Sequence, residues 1–510
     1  MIKVIKNIYT ATILRNPALV CFFMSVVLCF FALHTKNFKL DASADSLLLE
    51  DDKDLQFFRE TIERYTTKEF LFVTFTSDDS LFSEPVLKRI AQLRDEIKRI
   101  KLVDSVISLI DVPLVRQFEG SLSDVADNVR TIEGGDVNLE KAKQELLTSP
   151  IYKELVISKD GNTTALLVNL KDQPEFRDIQ RERNRLLIKS KKSKLDVNEI
   201  SKLNKISLQY IEKKNQIDKI NHQTITSIRE ILSKYEKYGS LHLGGVPMIA
   251  DDMITFIRND LIIFGIGVFI FLVIMLTIIF RKLRWVLLPL TSCFYAGFLM
   301  IGLLGLVGWN VTVISSNFIS LMLIITMSMN VHLIVRYRQL CADFPDYTQQ
   351  ELVLNTATKM VWPCLYTALT TIMAFTSLVI SGIKPVIDFG WMMTIGLSVT
   401  FLTSFILFPS ILIMLPKTSE ALTTKNEFQF TPKLANITEK HGNKILIFTI
   451  LLTIISIFGI TRLQVENSFI NYFSEDTEIY QGLSLIDKKL GGTTPVDILL
   501  NLEESEIIEN

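Results

Sequence analysis

Three polar side chains, Ser328, Asn330 and His332, stand close together inside one of the most apolar stretches of this chain. Ser328 and His332 are four residues apart, the spacing that places two side chains on one helix face. A histidine takes up a proton near neutral pH, whereas a serine and an amide can only pass protons along through water. A second set, Thr367, Thr370 and Thr371 with Ser377, lies in the next apolar run and could hydrogen-bond across to the first. The chemistry these types suggest is a polar or proton-relay path at membrane depth with His332 as its titratable member. Each has a plainer reading. Serine and threonine in apolar helices commonly hold spans together, and His332, close to a run of basic residues, reads best as an interfacial histidine bonded to a neighbouring helix. No Asp or Glu falls within any charge-free run of the chain, although an intramembrane acid is the usual mark of proton coupling.

The elements that must position these residues are long apolar segments. Charge-free runs cover 16–35, 261–280, 285–311, 311–335, 360–383, 389–415 and 445–461. Most reach the roughly 20 residues needed to cross a hydrocarbon core; the last is short. Basic residues fill every second short connection: Lys3, Lys6 and Arg15, then Arg281, Lys282 and Arg284, then Arg336, Arg338 and Lys359, then Lys417, Lys425, Lys433, Lys440 and Lys444. By the positive-inside rule those connections face the cytoplasm. The expected class is thus an α-helical polytopic membrane protein of about seven transmembrane helices with an external α+β domain, the large domain lying outside, in periplasm or its equivalent.

The expected order is a cytoplasmic N-terminus at 1–16, a first span at 17–35, an external domain at 36–260 and a five-helix membrane unit at 261–416. A cytoplasmic linker at 417–444, a seventh span at 445–461 and a second external segment at 462–510 follow. The first span reads as a retained anchor, because its apolar run is longer than a signal core and no small-residue cleavage site follows it. Of the five cysteines, Cys21, Cys29, Cys293 and Cys364 fall in spans and Cys341 in a basic connection, so no disulfide braces the external domain.

In the external block, 70–75, 103–110, 163–169 and 241–243 read as strands. Leu87, Ile90, Leu93 and Ile97 mark a helix over 85–100. The Lys-rich stretch 176–238 reads as a solvated helical hairpin bending at 193–196, with a docking arm for a periplasmic partner as the sharper alternative. Asp251, Asp252 and Asp260 lie where this block meets the second span. They read as hydrated juxtamembrane carboxylates or, more sharply, as a hinge coupling the domain to the membrane. Gly297, Gly302, Gly305 and Gly308 on the third span read as close helix packing.

The chain also starts to repeat itself. Phe38-Lys39-Leu40-Asp41, the acidic stretch 47–55 and the strand-like 69–74 return as Leu463-Gln464-Val465-Glu466, 471–479 and 496–500, at an offset of about 425–427 residues. The second copy breaks off within the unit. This predicts a poorly packed tail after Glu466 and a longer natural protein.

At this point the residues resemble a family. Arg130 to Gly135, Leu146-Leu147, Tyr152 and the Asp160-Gly161-Asn162-Thr163-Thr164 hairpin resemble the porter domain of RND-superfamily proteins of the MMPL type. Gly244 to Pro247 with Asp252-Met253 and Asp260-Leu261 resemble its approach to the membrane. His332 to Arg338, and Pro363 to Leu378 with Pro385, Phe389-Gly390, Gly396, Pro409 and Leu415-Pro416, are similar to its fourth to sixth helices. The five spans over 261–416 also look like a sterol-sensing domain. The resemblance implies a porter role for the external domain and an exporter of lipids or other hydrophobic solutes, driven by an ion gradient in its complete form. The family's acid on the fourth helix is missing here, which keeps a second reading open: a non-transporting lipid sensor or scaffold.

An enzyme is not expected. There is no phosphate-cradling Gly-rich loop ending in Lys-Ser/Thr, no Gly-x-Ser-x-Gly and no His-Glu-x-x-His, and the five histidines are scattered. No cofactor, no metal and, at a net charge of -1, no nucleic acid is expected. The expected partners are membrane lipids or a hydrophobic substrate, with a homo-oligomer also in view.

Overall fold

The computed structural model describes residues 9–40, 57, 61, 69–114, 130–134, 137–417, 430–463 and 469–493. The acidic stretch 47–55 and the strand-like 496–500 of the repeat lie outside these residues.

In chain order the helices and strands begin with α1 (Pro17–His34), β1 (Phe70–Ser77), α2 (Glu84–Lys98), β2 (Val103–Ile107), α3 (Leu139–Thr148) and β3 (Thr163–Leu170). Next come α4 (Pro174–Lys192), α5 (Val197–Tyr235), β4 (Gly239–Gly244) and α6 (Val246–Phe280). The chain continues with α7 (Leu283–Val307), α8 (Phe318–Asp343), α9 (Gln349–Ser377), α10 (Lys384–Met414), α11 (Phe430–Ile460) and α12 (Glu478–Lys489). Seven of these, α1 and α6 to α11, are long and apolar enough to cross a membrane. The chain divides into two compact units: Met1–Phe58 with Met253–Gln464, and Arg59–Asp252 with Val465–Asn510.

In the second of these units a four-stranded sheet has the order β2-β3-β1-β4, and every neighbouring pair is antiparallel. Two strand-helix-strand segments interleave to make it, the split βαβ arrangement of ferredoxin-like domains. Ile90, Leu93 and Ile97 of α2 are buried as the sequence spacing predicts, whereas Leu87 is only partly buried and Val86 takes its place in the core. Val86 and Ile90 form a core with Leu109, Ile110, Ala142, Leu146 and Ile157. Arg94 on the same helix is almost buried and stays charged, because Asp111 and both oxygens of Glu133 bind its guanidinium. The strand expected over 103–110 ends at Ile107, since the Asp111 carboxylate takes the Ser108 backbone N–H at 2.9 Å and turns the chain.

The Lys-rich stretch forms two helices, α4 and α5, that break at 193–196. Asp196 caps α5 through a capping box with Glu199. Lys213–Glu175, Lys189–Glu199 and Lys202–Glu182 pairs tie the two helices together in antiparallel order.

The tail differs from expectation. Residues 469–493 are packed, not loose: α12 is amphipathic and buries Ile479, Leu483 and Ile486, lying so close to β4 that a Cβ at Gly482 would sit 3.0 Å from the Leu243 carbonyl oxygen. Glu478 accepts the Leu243 N–H at 3.4 Å and Lys489 meets Asp160 at 2.8 Å. An edge strand with free backbone groups is thereby covered.

In the other unit, α7, α8, α9 and α10 make the bundle, with α1 against α7 and α10. Half or more of the apolar window is buried in α7, α8 and α10, against none in α11. Two glycines of α7 set the approach of α1. A Cβ at Gly302 would lie 2.2 Å from the Phe31 carbonyl oxygen, and one at Gly305 2.1 Å from that of His34. Gly308 ends α7 in the left-handed conformation (φ 72°), donating its N–H to Leu304.

Three spans start ten or more residues earlier than the charge-free runs indicate, one of them α9, at Gln349 instead of 360. α6 begins at Val246 instead of 261, so its 35 residues extend about 52 Å, well beyond a hydrocarbon core of about 30 Å. Met248, Ile249 and Ile257 are buried along the polar first half and support it. α11 begins at Phe430 instead of 445, within the expected linker, and kinks at His441 (φ −124°, ψ 23°).

Candidate functional site

On α8 the buried residues recur with helical period: Met322, Thr326, Met327, Asn330, Leu333, Ile334 and Tyr337. Ser328 and His332 are exposed, on the opposite face. The reason is elementary: Asn330 is two residues from each, about 200° around the helix. The structure therefore keeps Ser328 and His332 together and puts Asn330 apart from both, inside the bundle.

What faces Asn330 follows from the register of α8 on α10. A Cβ at Gly396 would meet the Met322 sulfur at 3.2 Å. One turn along both helices, the Thr326 and Thr400 hydroxyls hydrogen-bond at 3.0 Å, 74 residues apart in sequence. The same separation at two successive turns means that the helices run parallel, and it brings Asn330 opposite Ser404 one turn further. Beyond them, Gln349 closes the line. Its Oε1 accepts the Tyr337 hydroxyl and its Nε2 donates to the Leu412 carbonyl, both at 2.7 Å. A narrow polar seam thus runs between α8 and α10 for about 17 Å, from Thr326 to Tyr337, through otherwise apolar packing.

The middle of the seam is open in hydrogen-bond terms. Asn330 is fully buried, and among the described residues neither its Nδ2 nor its Oδ1 has a partner; the Ser404 hydroxyl and that of Ser292 on α7 are also buried without one there. Other hydroxyls of these helices bond back to their own carbonyls, as Thr326 does to Met322 and Ser410 to Ile406, both at 2.7 Å. An orphaned buried polar group costs roughly 1–3 kcal/mol. Chemically, a carboxamide and hydroxyls can hold water and pass a proton along it, but they store no charge.

Thr367, Thr370 and Thr371 are placed elsewhere. Their hydroxyls bond to the Pro363 and Thr367 carbonyls of their own helix at 2.8–3.0 Å, and none reaches α8. Asp251, Asp252 and Asp260 all lie within the continuous helix α6. Asp251 meets the His222 ring at 2.9 Å, and Asp252 receives two bonds from Arg229, at 2.7 and 2.8 Å, while Arg229 Nε donates to Glu478 at 2.9 Å. Burial of Arg229 works against its charge, and the carboxylates of Asp252 and Glu478 outweigh it, holding its pKa above the ordinary value. Asp260 sits about two turns further on.

Sequence reasoning missed Thr326, Thr400, Ser404 and Ser292. A signal existed: Thr400 and Ser404 repeat the four-residue spacing of Thr326 and Asn330. It could be used only once the register of two helices distant in sequence was known. Among the described residues no group of three or more His, Cys, Asp or Glu could hold a metal ion.

Residues 195–431, somewhat less than half of the chain, match the model of the MMPL family. No curated protein matches the chain. The matched segment contains the whole seam, and with seven apolar helices of spanning length the chain is consistent with an MMPL-type RND transporter.

Proposed function

We propose that this protein exports lipids or other hydrophobic solutes across a bacterial inner membrane, using an ion gradient. Its sheet-containing unit would be an external porter domain on the periplasmic side. The observation that carries the reading is the neutral seam between α8 and α10, with Asn330 and Ser404 left unpaired where apolar residues would pack better. Proteins retain such misfits where function needs them. With no bond between Asn330 and Ser404 to pin α8 to α10 at this level, the two helices can move against each other. Because the seam contains no acid, the group that stores charge lies outside it. His332 is an exposed interfacial residue in this reading, and Asp251 and Asp252 anchor α6 to α5.

The test is transport by the full chain in proteoliposomes carrying a fluorescent phospholipid in the lumenal leaflet or a trapped hydrophobic dye. Movement that requires an imposed pH or sodium gradient supports export. The neutral seam also favours a second reading, a non-transporting lipid sensor or scaffold built on a sterol-sensing-like unit. Tight lipid or sterol binding with no movement under any gradient would establish that reading and refute the first. Neither reading includes an enzymatic step, a cofactor or nucleic acid; a periplasmic partner on α4 and α5 and a homo-oligomer are compatible with both.

A further inference from the structure

At the basic end of the bundle two cavities adjoin. The first, of about 290 Å³, is apolar, and its walls include Tyr9, Ile13, Val361, Trp362, Leu365 and Phe405. The second, of about 740 Å³, is polar and is lined by Thr10, Arg15, Thr348, Gln350 and Glu351. Leu354 lines both. One short helical stretch before α1 divides them, turning Tyr9 and Ile13 to the apolar side and Thr10 and Arg15 to the polar side.

That stretch is held in place by a proline. Pro409 on α10 has no N–H, so the Phe405 carbonyl loses its helical donor. The Tyr9 hydroxyl supplies the missing bond at 2.8 Å. Two charges then stand at the polar mouth. Arg15 is exposed and has no acidic partner among the described residues. Glu351 uses one oxygen, Oε2, in the capping box of α9, taking the Thr348 N–H at 2.8 Å and hydroxyl at 2.9 Å. Its Oε1 accepts no hydrogen bond among the described residues. Arg284, bonded to the Pro416 carbonyl at 2.6 Å, and Lys417, bonded to that of Tyr347 at 2.8 Å, mark the same end of the bundle as the basic one.

A cation and a carboxylate at the mouth of an apolar crevice match a head group that carries both signs above a hydrocarbon chain. We propose that the two cavities form one binding site for an aminophospholipid. Its phosphate lies on Arg15, its primary ammonium on Glu351 Oε1, and one acyl chain along Val361 and Trp362. At about 30 Å³ for a group the size of water, the crevice takes roughly nine or ten methylenes, part of one chain, with the rest in the bilayer. Basic pockets between helices on the cytoplasmic side are recurrent lipid sites; the carboxylate selects here against a purely anionic head. The site stands whether or not the chain transports.

The experiment uses the full chain in phosphatidylcholine nanodiscs doped with phosphatidylethanolamine or phosphatidylglycerol bearing a diazirine on one acyl chain. After illumination the adducts are mapped by peptide mass spectrometry. Adducts from the ethanolamine lipid are expected on the peptide holding Val361, Trp362 and Leu365. Arg15→Gln should reduce them by up to about fivefold, the roughly 1 kcal/mol that an exposed ion pair contributes at most. Glu351→Gln keeps the capping hydrogen bonds and should reduce only the ethanolamine adducts, erasing the preference over glycerol. Ile13→Trp, filling the crevice, should reduce both. Unchanged helical content by circular dichroism and unchanged elution on gel filtration accompany each variant, so a folding defect is read separately. Equal labelling by the two lipids in the wild type, or crevice labelling that survives both Arg15→Gln and Ile13→Trp, overturns the proposal.

Discussion

Replacing Asn330 by leucine should make the bundle more stable. The Asn330 carboxamide is fully buried on α8, opposite Ser404, with neither its donor nor its acceptor engaged among the described residues. Leucine has a similar size, and its neighbours Met327, Leu333 and Ile334 are apolar. Removing an unsatisfied buried polar group recovers roughly 1–3 kcal/mol. Ser404 stays orphaned, so only the amide's share returns, and about 2 kcal/mol is a fair central value. At about 2–4 °C per kcal/mol for a unit of some 250 residues, the melting midpoint should rise by about 4–8 °C. Thermal unfolding of the full chain in one detergent, followed by tryptophan fluorescence, measures it, since Trp285 packs against Tyr337 on the same seam. Asn330→Ala separates the two contributions: it also removes the orphan but leaves a cavity, and should gain less than leucine or lose stability. A leucine variant destabilised by 1 kcal/mol or more would refute the reasoning, because it would mean that the amide makes strong bonds within the folded bundle.

Three further outcomes follow from the geometry. Gly302→Ala puts a methyl 2.2 Å from the Phe31 carbonyl oxygen and should force α1 off α7 at a cost of roughly 1–3 kcal/mol; Gly297→Ala, whose nearest neighbour is Leu323 at 3.8 Å, should be tolerated, and detergent melting compares the two. Arg229→Met leaves the largely buried Asp252 carboxylate unpaired and breaks the tie to Glu478, so about 2–3 kcal/mol should be lost and limited proteolysis should release α12 first. Lys489 and the Ser158 hydroxyl hold the Asp160 pKa down from the ordinary 3.8 to about 2. This contact is therefore fully present above pH 3.8 and lost as the pH falls through 2. As an exposed pair it contributes at most about 1 kcal/mol, and Lys489→Ala should remove the acid-dependent step from pH-resolved unfolding curves.

Much of the frame was legible because hydrophobic burial and local chemistry speak directly through sequence. The seven spans, the stripe on α2 and the break between α4 and α5 at Asp196 all come from period, length and capping. The start of α6 was not, because an apolar-run criterion stops at the first charges. The 246–260 half is helical through Met248, Ile249 and Ile257 and through Asp251 and Asp252, whose partners lie on α5. The loose packing expected after Glu466 fails over the described 469–493 for a related reason: a sequence does not show that Glu478, Gly482 and Ile486 fit the edge of β4. At the candidate site, residue type pointed to α8, but three neighbours were grouped that helix geometry separates. Ser328 and His332 face outward, Asn330 inward. Its counterpart Ser404 is set by a helix-to-helix register that no local pattern contains.

The central claim is that a transporter moves hydrophobic solute by shifting α8 against α10 across a neutral seam left unpinned at Asn330 and Ser404. The most direct measurement compares gradient-driven solute movement in proteoliposomes for the wild type and Asn330→Leu at equal protein density. The account predicts movement by the wild type and its loss, by at least about tenfold, in the more stable leucine variant, the trade of activity against stability expected where a misfit is functional. Undiminished gradient-driven movement in the leucine variant would contradict it, since the seam would then be only a packing defect.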